Sequence, residues 1–127
     1  MKKFIKELVT NRIGIVLAAF NVCYLAAQKF VPYAFSHGVG DECTFFRHNV
    51  FFWIKLHYNE AMFDINLPAA LAALIHGKFT QIFFPDFCFF THARFQIVAF
   101  AFFVTFQWLF IGWTAKTVAR LIQPKRD

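Results

Sequence analysis

Charged side chains are scarce in this sequence. Only 16% of its 127 residues are Asp, Glu, Lys or Arg, whereas about 25% are charged in a typical soluble domain. A small soluble protein exposes a large share of its surface and needs polar groups to cover it. The shortage of charge therefore argues against a water-soluble monomer.

The sequence also lacks the patterns of catalytic and metal-binding sites. Its three cysteines are an odd number without a CxxC pair, which indicates neither a disulfide framework nor a zinc ribbon. No GxSxG, Walker or HExxH motif is present, and the ligand-type residues between His37 and His57 lack the spacing of a metal site. We therefore predict that the protein is not an enzyme and has no catalytic residues, no metal and no cofactor.

Apolar residues are abundant, at 59% of the chain, and 21 residues are Phe. They form three long runs, at residues 13–31, 66–84 and 95–115. Each run is long enough to cross a hydrocarbon core of about 30 Å as a helix. The sequence predicts an all-α fold, an integral membrane helical bundle with three transmembrane helices that forms a single membrane domain over residues 1–127.

Local signals agree with helices at the second and third runs. Asn66 is placed to cap a helix, Pro68 stands in its first turn, and Pro85 follows its end. Trp108 and Trp113 lie toward the C-terminal end of the third run, where an aromatic belt is expected.

Residues 32–60 form a predicted extramembrane loop, because Pro and Gly interrupt the helical pattern there. Within this loop, residues 45–58 are too polar to span a bilayer and too aromatic to remain in water. An amphipathic helix in the headgroup region, with Trp53 and Tyr58 as interfacial aromatics, satisfies both conditions.

The net charge of +6 is concentrated at the two ends of the sequence. Residues 1–12 and 116–127 are both basic, and both flank an apolar run, which is typical of segments beside anionic lipid headgroups. We therefore expect the lipid bilayer as a partner and no nucleic acid. Three crossings put the two basic ends on opposite sides of the membrane. A re-entrant segment at 66–84 would put them on one side, but a continuous helix satisfies its own backbone, so we favour three crossings.

Small and polar residues recur at helical spacing on one face of each predicted span. Small residues let helices approach closely, and polar ones hydrogen-bond across the interface at about 1 kcal/mol each. The predicted helix-packing residues are Gly14, Ala18, Asn21, Gln28, Ala69, Ala73, His76, Gly77, Thr105 and Gln107. We expect other membrane subunits, or further copies of this chain, to cover these faces.

Three short stretches, residues 12–15 (RIGI), 66–69 (NLPA) and 107–112 (QWLFIG), resemble segments of small, uncharacterised multi-span bacterial membrane proteins. The resemblance implies neither an activity nor a cofactor. We expect an integral membrane location, in the bacterial inner membrane.

Three functions are open at this point. We favour an accessory or packing subunit of a membrane assembly or homo-oligomer, because three helices leave many small and polar faces uncovered. The first alternative is a pore or ion-conducting effector, in which copies meet along Ala69, Ala73 and Gly77 and place His76 and Lys78 around an axis. The second alternative is a redox subunit in which His76 ligates haem iron or another metal.

Overall fold

The computed structural model describes residues 1–28, 58–84 and 93–123, and these residues contain helices and no strands. The predicted all-α class is confirmed for this part of the chain. The predicted interfacial helix at 45–58 lies outside the described residues, apart from Tyr58. The helices are α1 (Lys2–Val9), α2 (Arg12–Ala26), α3 (Glu60–Ile65), α4 (Leu67–Phe83) and α5 (Ala93–Ile122).

α5 is the longest helix, and its stretch Phe95–Ile122 is long and apolar enough to cross a membrane. Only 28% of its most apolar window is buried, unlike the core helix of a soluble protein. α5 continues past residue 115, where the predicted span ends. The charges from Lys116 onward end the apolar run, but they do not prevent the helix, because Lys, Ala and Arg are good helix formers.

The other helices are shorter than the predicted spans. α2 ends at Ala26 instead of residue 31, and α4 has 17 residues. α1 and α2 qualify as a membrane span only when taken together, and they are bent by 60°. The described residues therefore contain one candidate span, or two if α1 and α2 form one, and a bundle of three transmembrane helices is not confirmed.

The bend between α1 and α2 has a local cause. Thr10 Oγ1 donates to Lys6 O (2.7 Å) at the end of α1. Asn11 then caps α2, because its Oδ1 accepts from Ile13 N (3.1 Å). The C-cap of α1, Thr10, and the N-cap of α2, Asn11, are thus adjacent residues, which lets α1 turn away from the axis of α2.

α2 and α5 pack closely and run antiparallel. Near the start of α2, Gly14 lies against Gly112, in the C-terminal half of α5. Toward the end of α2, the ring of Tyr24 meets that of Tyr58 (centroids 5.7 Å apart), and Tyr58 meets Phe100 (6.0 Å), in the N-terminal half of α5. The basic residues of α1 and those of the last turns of α5 therefore lie at the same end of the molecule.

α4 also runs antiparallel to α5. At its start, Ala69 N donates to Gln107 Oε1 (3.0 Å), and two turns later Gly77 packs against Gln96. α2 and α4 consequently point the same way. If α2, α4 and α5 crossed a membrane one after another, α2 and α5 would be parallel. They are antiparallel, so the structure does not have the arrangement of three consecutive crossings.

The core lies where α2, α4 and α5 meet, and α3 adds to it. Phe100 and Val104 have no exposed surface, and the core also contains Phe63 of α3. Tyr58, expected at the membrane interface, is instead 3% exposed and belongs to this core. Large apolar side chains cover the outside of the three longest helices, among them Val16, Phe20, Leu74, Ile75, Ile82, Val98, Phe102 and Phe106.

Glycine is required where α2 and α5 cross. A Cβ atom built on Gly112 would lie 2.5 Å from the nitrogen of Gly14 and 2.6 Å from its Cα. A Cβ atom on Gly14 would lie 2.9 Å from Leu109 Cα. The two backbones therefore touch directly, a contact that only small residues allow between helices.

Gly112→Ala should destabilise the protein, because α2 and α5 must separate to admit the new methyl group. We expect a loss of about 1–3 kcal/mol in the free energy of unfolding, measured in mixed micelles by titration with SDS. Gly77→Ala is the matched control. The nearest neighbours of its Cβ would be side-chain atoms of Gln96, at 3.3 Å or more, and no backbone atom of α5 is among the three nearest, so the change should stay within about 1 kcal/mol. Equal losses in the two variants would contradict the close crossing.

Candidate functional site

Asn66 stands at the junction of α3 and α4 and has no exposed surface. Pro68, in the first turn of α4, has no N–H, so the hydrogen-bond ladder between the two helices is interrupted here. The sequence predicts Asn66 as a side-chain cap, but its side chain makes no cap hydrogen bond with α4. The amide group is directed to other helices instead.

The side chain of Asn66 joins three parts of the chain. Its Nδ2 donates to Asn21 Oδ1 in α2 (3.0 Å) and to Met62 O in α3 (2.8 Å), while the hydroxyl of Tyr58 lies 3.4 Å away. An amide nitrogen carries two hydrogens, and the two shorter bonds use them. Its Oδ1 accepts from Trp108 Nε1 in α5 (2.8 Å). The Asn66 cluster is defined as Asn21, Tyr58, Asn66, Gln107 and Trp108.

Gln107 completes the cluster by bridging the break between α3 and α4. Its Nε2 donates to Ile65 O (2.8 Å), and its Oε1 accepts from Ala69 N (3.0 Å). In an unbroken helix, the Ile65 carbonyl and the Ala69 N–H would bond each other. One side chain of α5 thus satisfies both backbone groups that the break sets free.

The Asn66 cluster is closed. The other amide nitrogen at the centre of the cluster, Asn21 Nδ2, donates to Leu17 O (2.9 Å) within α2. Asn21 and Asn66 are both buried, so a ligand could reach their amides only by breaking these bonds. The arrangement therefore fixes α2 and α5 at the level of the junction between α3 and α4.

His76 is half-buried, with its ring 5.7 Å from that of Phe95 and 6.0 Å from that of Phe103. Its Nδ1 is buried and has no hydrogen-bond partner. No group of three or more His, Cys, Asp or Glu residues that could hold a metal occurs in the described ranges. The other histidine that flanks the second and third apolar runs, His92, lies outside those ranges.

The small residues predicted for helix packing are covered by other helices of the same chain. Gly14 and Ala18 of α2 are buried, as are Ala69 and Ala73 of α4. Gly77 is half-buried against Gln96. The face proposed for contacts between copies is therefore largely occupied by this chain's own α5.

The polar residues predicted for packing divide into two groups. Asn21 and Gln107 bond to other helical segments, and the structure brings them together around Asn66. Gln28 and Thr105 instead bond within their own segments, Gln28 Nε2 to Tyr24 O (3.1 Å) and Thr105 Oγ1 to Ala101 O (2.8 Å).

Sequence reasoning missed the central roles of Asn66, Tyr58 and Trp108. Asn66 was interpreted as a cap, and the two aromatic residues as interfacial anchors. The available signal was that each has a polar group beside or within an apolar run, where such a group needs a partner. The identity of that partner was not in the local sequence.

α3 carries two exposed carboxylates, Glu60 and Asp64, which are one helical turn apart and therefore share a face. Asp64 precedes Ile65, whose carbonyl is bonded to Gln107. Gln107 lies near the middle of the candidate span Phe95–Ile122. Asp64 is thus an exposed residue at about the level of the middle of the candidate span.

These features define the class of protein: it is all-helical in its described residues and has one helix long and apolar enough to span a membrane, held to its neighbours by a buried amide cluster. In comparisons with protein-family models, curated proteins and solved structures, none matched this chain.

Asn66→Ala should destabilise the protein strongly, because it leaves Trp108 Nε1 and Asn21 Oδ1 buried without partners. Each unsatisfied buried group costs about 1–3 kcal/mol, measured as the free energy of unfolding in mixed micelles. Asn59→Ala is the control, since Asn59 is exposed and caps α3 through Ala61 N (3.0 Å), an interaction that contributes about 1 kcal/mol. A loss for Asn66→Ala no larger than the control's would show that the cluster does not hold the helices.

Proposed function

We propose that this protein is an integral membrane protein that acts, without catalysis, as an accessory subunit of a membrane assembly or homo-oligomer. The observation that carries the proposal is the exposed carboxylate of Asp64 at the level of the middle of α5. A charged side chain near the centre of a bilayer costs about 2.5–3.5 kcal/mol when lipid surrounds it. A protein partner or water therefore has to meet the α3 face.

The apolar exterior supports the membrane location. Phe102 and Phe106 of α5 are 65% and 51% exposed, and Ile75 and Ile82 of α4 are 68% and 73% exposed. Continuous apolar surface of this kind on several helices suits contact with lipid chains and not with water. We extend the proposal to the bacterial inner membrane, which the resemblance of the three short stretches favours.

We also propose a topology of two crossings with a re-entrant segment between them. The antiparallel packing of α2 and α5 supports an even number of crossings. Tyr58 lies near Phe100, the α3–α4 break near Gln107, and Gly77 near Gln96, so the chain advances along α5 and then returns. A re-entrant segment needs protein to satisfy its backbone at the break, and Gln107 does this.

The partner surface in this proposal is the α3 face, Glu60 and Asp64. The small residues that first suggested an assembly are already used for packing within the chain. The argument for a partner now depends on the exposed carboxylate of Asp64 near the proposed centre of the bilayer.

Cysteine labelling should place both chain ends on one side of the membrane. In a background with Cys23, Cys43 and Cys88 replaced by Ser, we expect Lys3→Cys and Gln123→Cys to react with a membrane-impermeant maleimide from the same side. The reason is that α2 and α5, which follow and precede these positions, are antiparallel. Gln28→Cys, at the other end of α2, should react only from the opposite side. Labelling of Lys3→Cys and Gln123→Cys from opposite sides would restore three crossings.

Photo-crosslinking should detect the partner. With p-benzoylphenylalanine in place of Asp64, we expect irradiation of intact membranes to give a protein adduct, seen as a mass above that of the 14.9 kDa chain. The same group in place of Phe102, which lies on an apolar face, should give only lipid adducts. If position 64 gives no protein adduct and the protein purified in mild detergent is a strict monomer without a co-purifying partner, the accessory-subunit proposal fails.

The exposed carboxylates also favour one second candidate, a cation-conducting oligomer in which Glu60 and Asp64 line water. Conductance in planar bilayers that is lost in Asp64→Asn would support it. Silent bilayers over a range of pH and voltage would exclude it. The pore that the sequence suggests, with copies meeting along Ala69 and Ala73, is disfavoured because both residues are buried within the chain.

A further inference from the structure

We propose that α1 and the last turns of α5 together form a binding surface for the headgroups of anionic phospholipids. The basic end is defined as Lys2, Lys3, Lys6, Arg12, Lys116 and Arg120. These six side chains are all exposed. They come from two segments far apart in sequence, and the antiparallel packing of α2 and α5 is what brings them together.

α1 is amphipathic and forms the surface end of the bent span that it makes together with α2. Its basic residues occupy one side, and Phe4, Ile5, Leu8 and Val9 occupy the other. Leu8 is buried against the rest of the protein, whereas Ile5 and Val9 remain about half exposed. The bend of 60° between α1 and α2 turns α1 away from the axis of α2. Its apolar side can then face acyl chains while its lysines face the headgroups.

The contact between Phe4 and Trp113 fixes this helix on α5. Their ring centroids are 5.0 Å apart, with the rings edge to face. Lys116 and Arg120 follow Trp113 by about one and two helical turns, so they extend the basic surface beyond α1. Trp113 thus lies between the apolar exterior and the cationic groups, which is the depth that Trp prefers in membranes.

The chemistry of this surface fits a phosphodiester headgroup better than other ligands. Glu7 is the one carboxylate on α1, and the described part of α5 contributes none, so the surface has a large excess of cations. The exposed apolar residues beside the cations suit a ligand that combines an anion with acyl chains. A nucleic acid offers the phosphates without the acyl chains.

Native mass spectrometry of the full chain ejected from nanodiscs tests this proposal. The nanodiscs contain equal amounts of phosphatidylglycerol and phosphatidylcholine. We expect the wild type to retain phosphatidylglycerol with an enrichment of about fivefold over phosphatidylcholine, and 1 M salt to abolish it. The variant Lys2→Gln/Lys6→Gln/Lys116→Gln, which removes three of the six cations, should lose most of this enrichment. Lys78→Gln, which removes an exposed cation from α4, should keep the enrichment of the wild type.

Two outcomes would overturn the proposal. Equal retention of the two lipids by the wild type would show that the basic end does not select anionic headgroups. Enrichment in the triple variant equal to that of the wild type would place the lipid elsewhere. A labelled single-stranded RNA, added to the wild type in detergent, should not bind, and its binding without any enrichment of phosphatidylglycerol would identify a different ligand class. Circular dichroism of each variant checks that its helices are retained.

Discussion

The break between α3 and α4 is the constraint on which the rest of the fold depends. It separates the carbonyl of Ile65 from the N–H of Ala69, which would bond each other in an unbroken helix. Ala69 belongs to the apolar core, whereas Ile65 lies at the surface. Gln107 bonds both groups, and Asn66 at the same junction binds Asn21 and Trp108. Because the groups to be satisfied stand at one level, the helices that provide partners are fixed at that level. Orientation of the whole bundle follows from this.

The second constraint is the contact of backbone with backbone at Gly14 and Gly112. It brings α2 so close to α5 that the polar groups of the Asn66 cluster, further along the same interface, come within hydrogen-bonding distance. The packing also sets both basic segments at one end, which agrees with the general excess of Lys and Arg on one side of membrane proteins. The proposed two-crossing topology and the proposed lipid surface both depend on this one arrangement.

The sequence predicted parts of the site and could not predict others. The burial of Gly14 and Ala73 was expected from small residues at helical spacing, and Asn21 and Gln107 were singled out as polar groups in apolar runs. The central position of Asn66 could not be predicted, because an Asn two residues before a Pro at a helix start has a sufficient local explanation as a cap. The sequence favours three crossings, because a continuous helix satisfies its own backbone whereas a re-entrant segment needs protein around it. Gln107 removes that objection.

By itself the sequence determined the helical class, the apolar character and the approximate positions of α2, α4 and α5, since these depend on composition and on residues a few positions apart. It did not predict α1 or α3. Pairings between helices were decided only by the tertiary structure. The direction of α2 relative to α5, the partner of Asn66 and the exposure of Asp64 each depend on which faces meet. Faces with similar small and polar residues recur on all three predicted spans, so their local patterns do not distinguish one pairing from another. In the structure the pairing of α2 with α5 places Gly14 against Gly112, a backbone contact that larger residues would prevent.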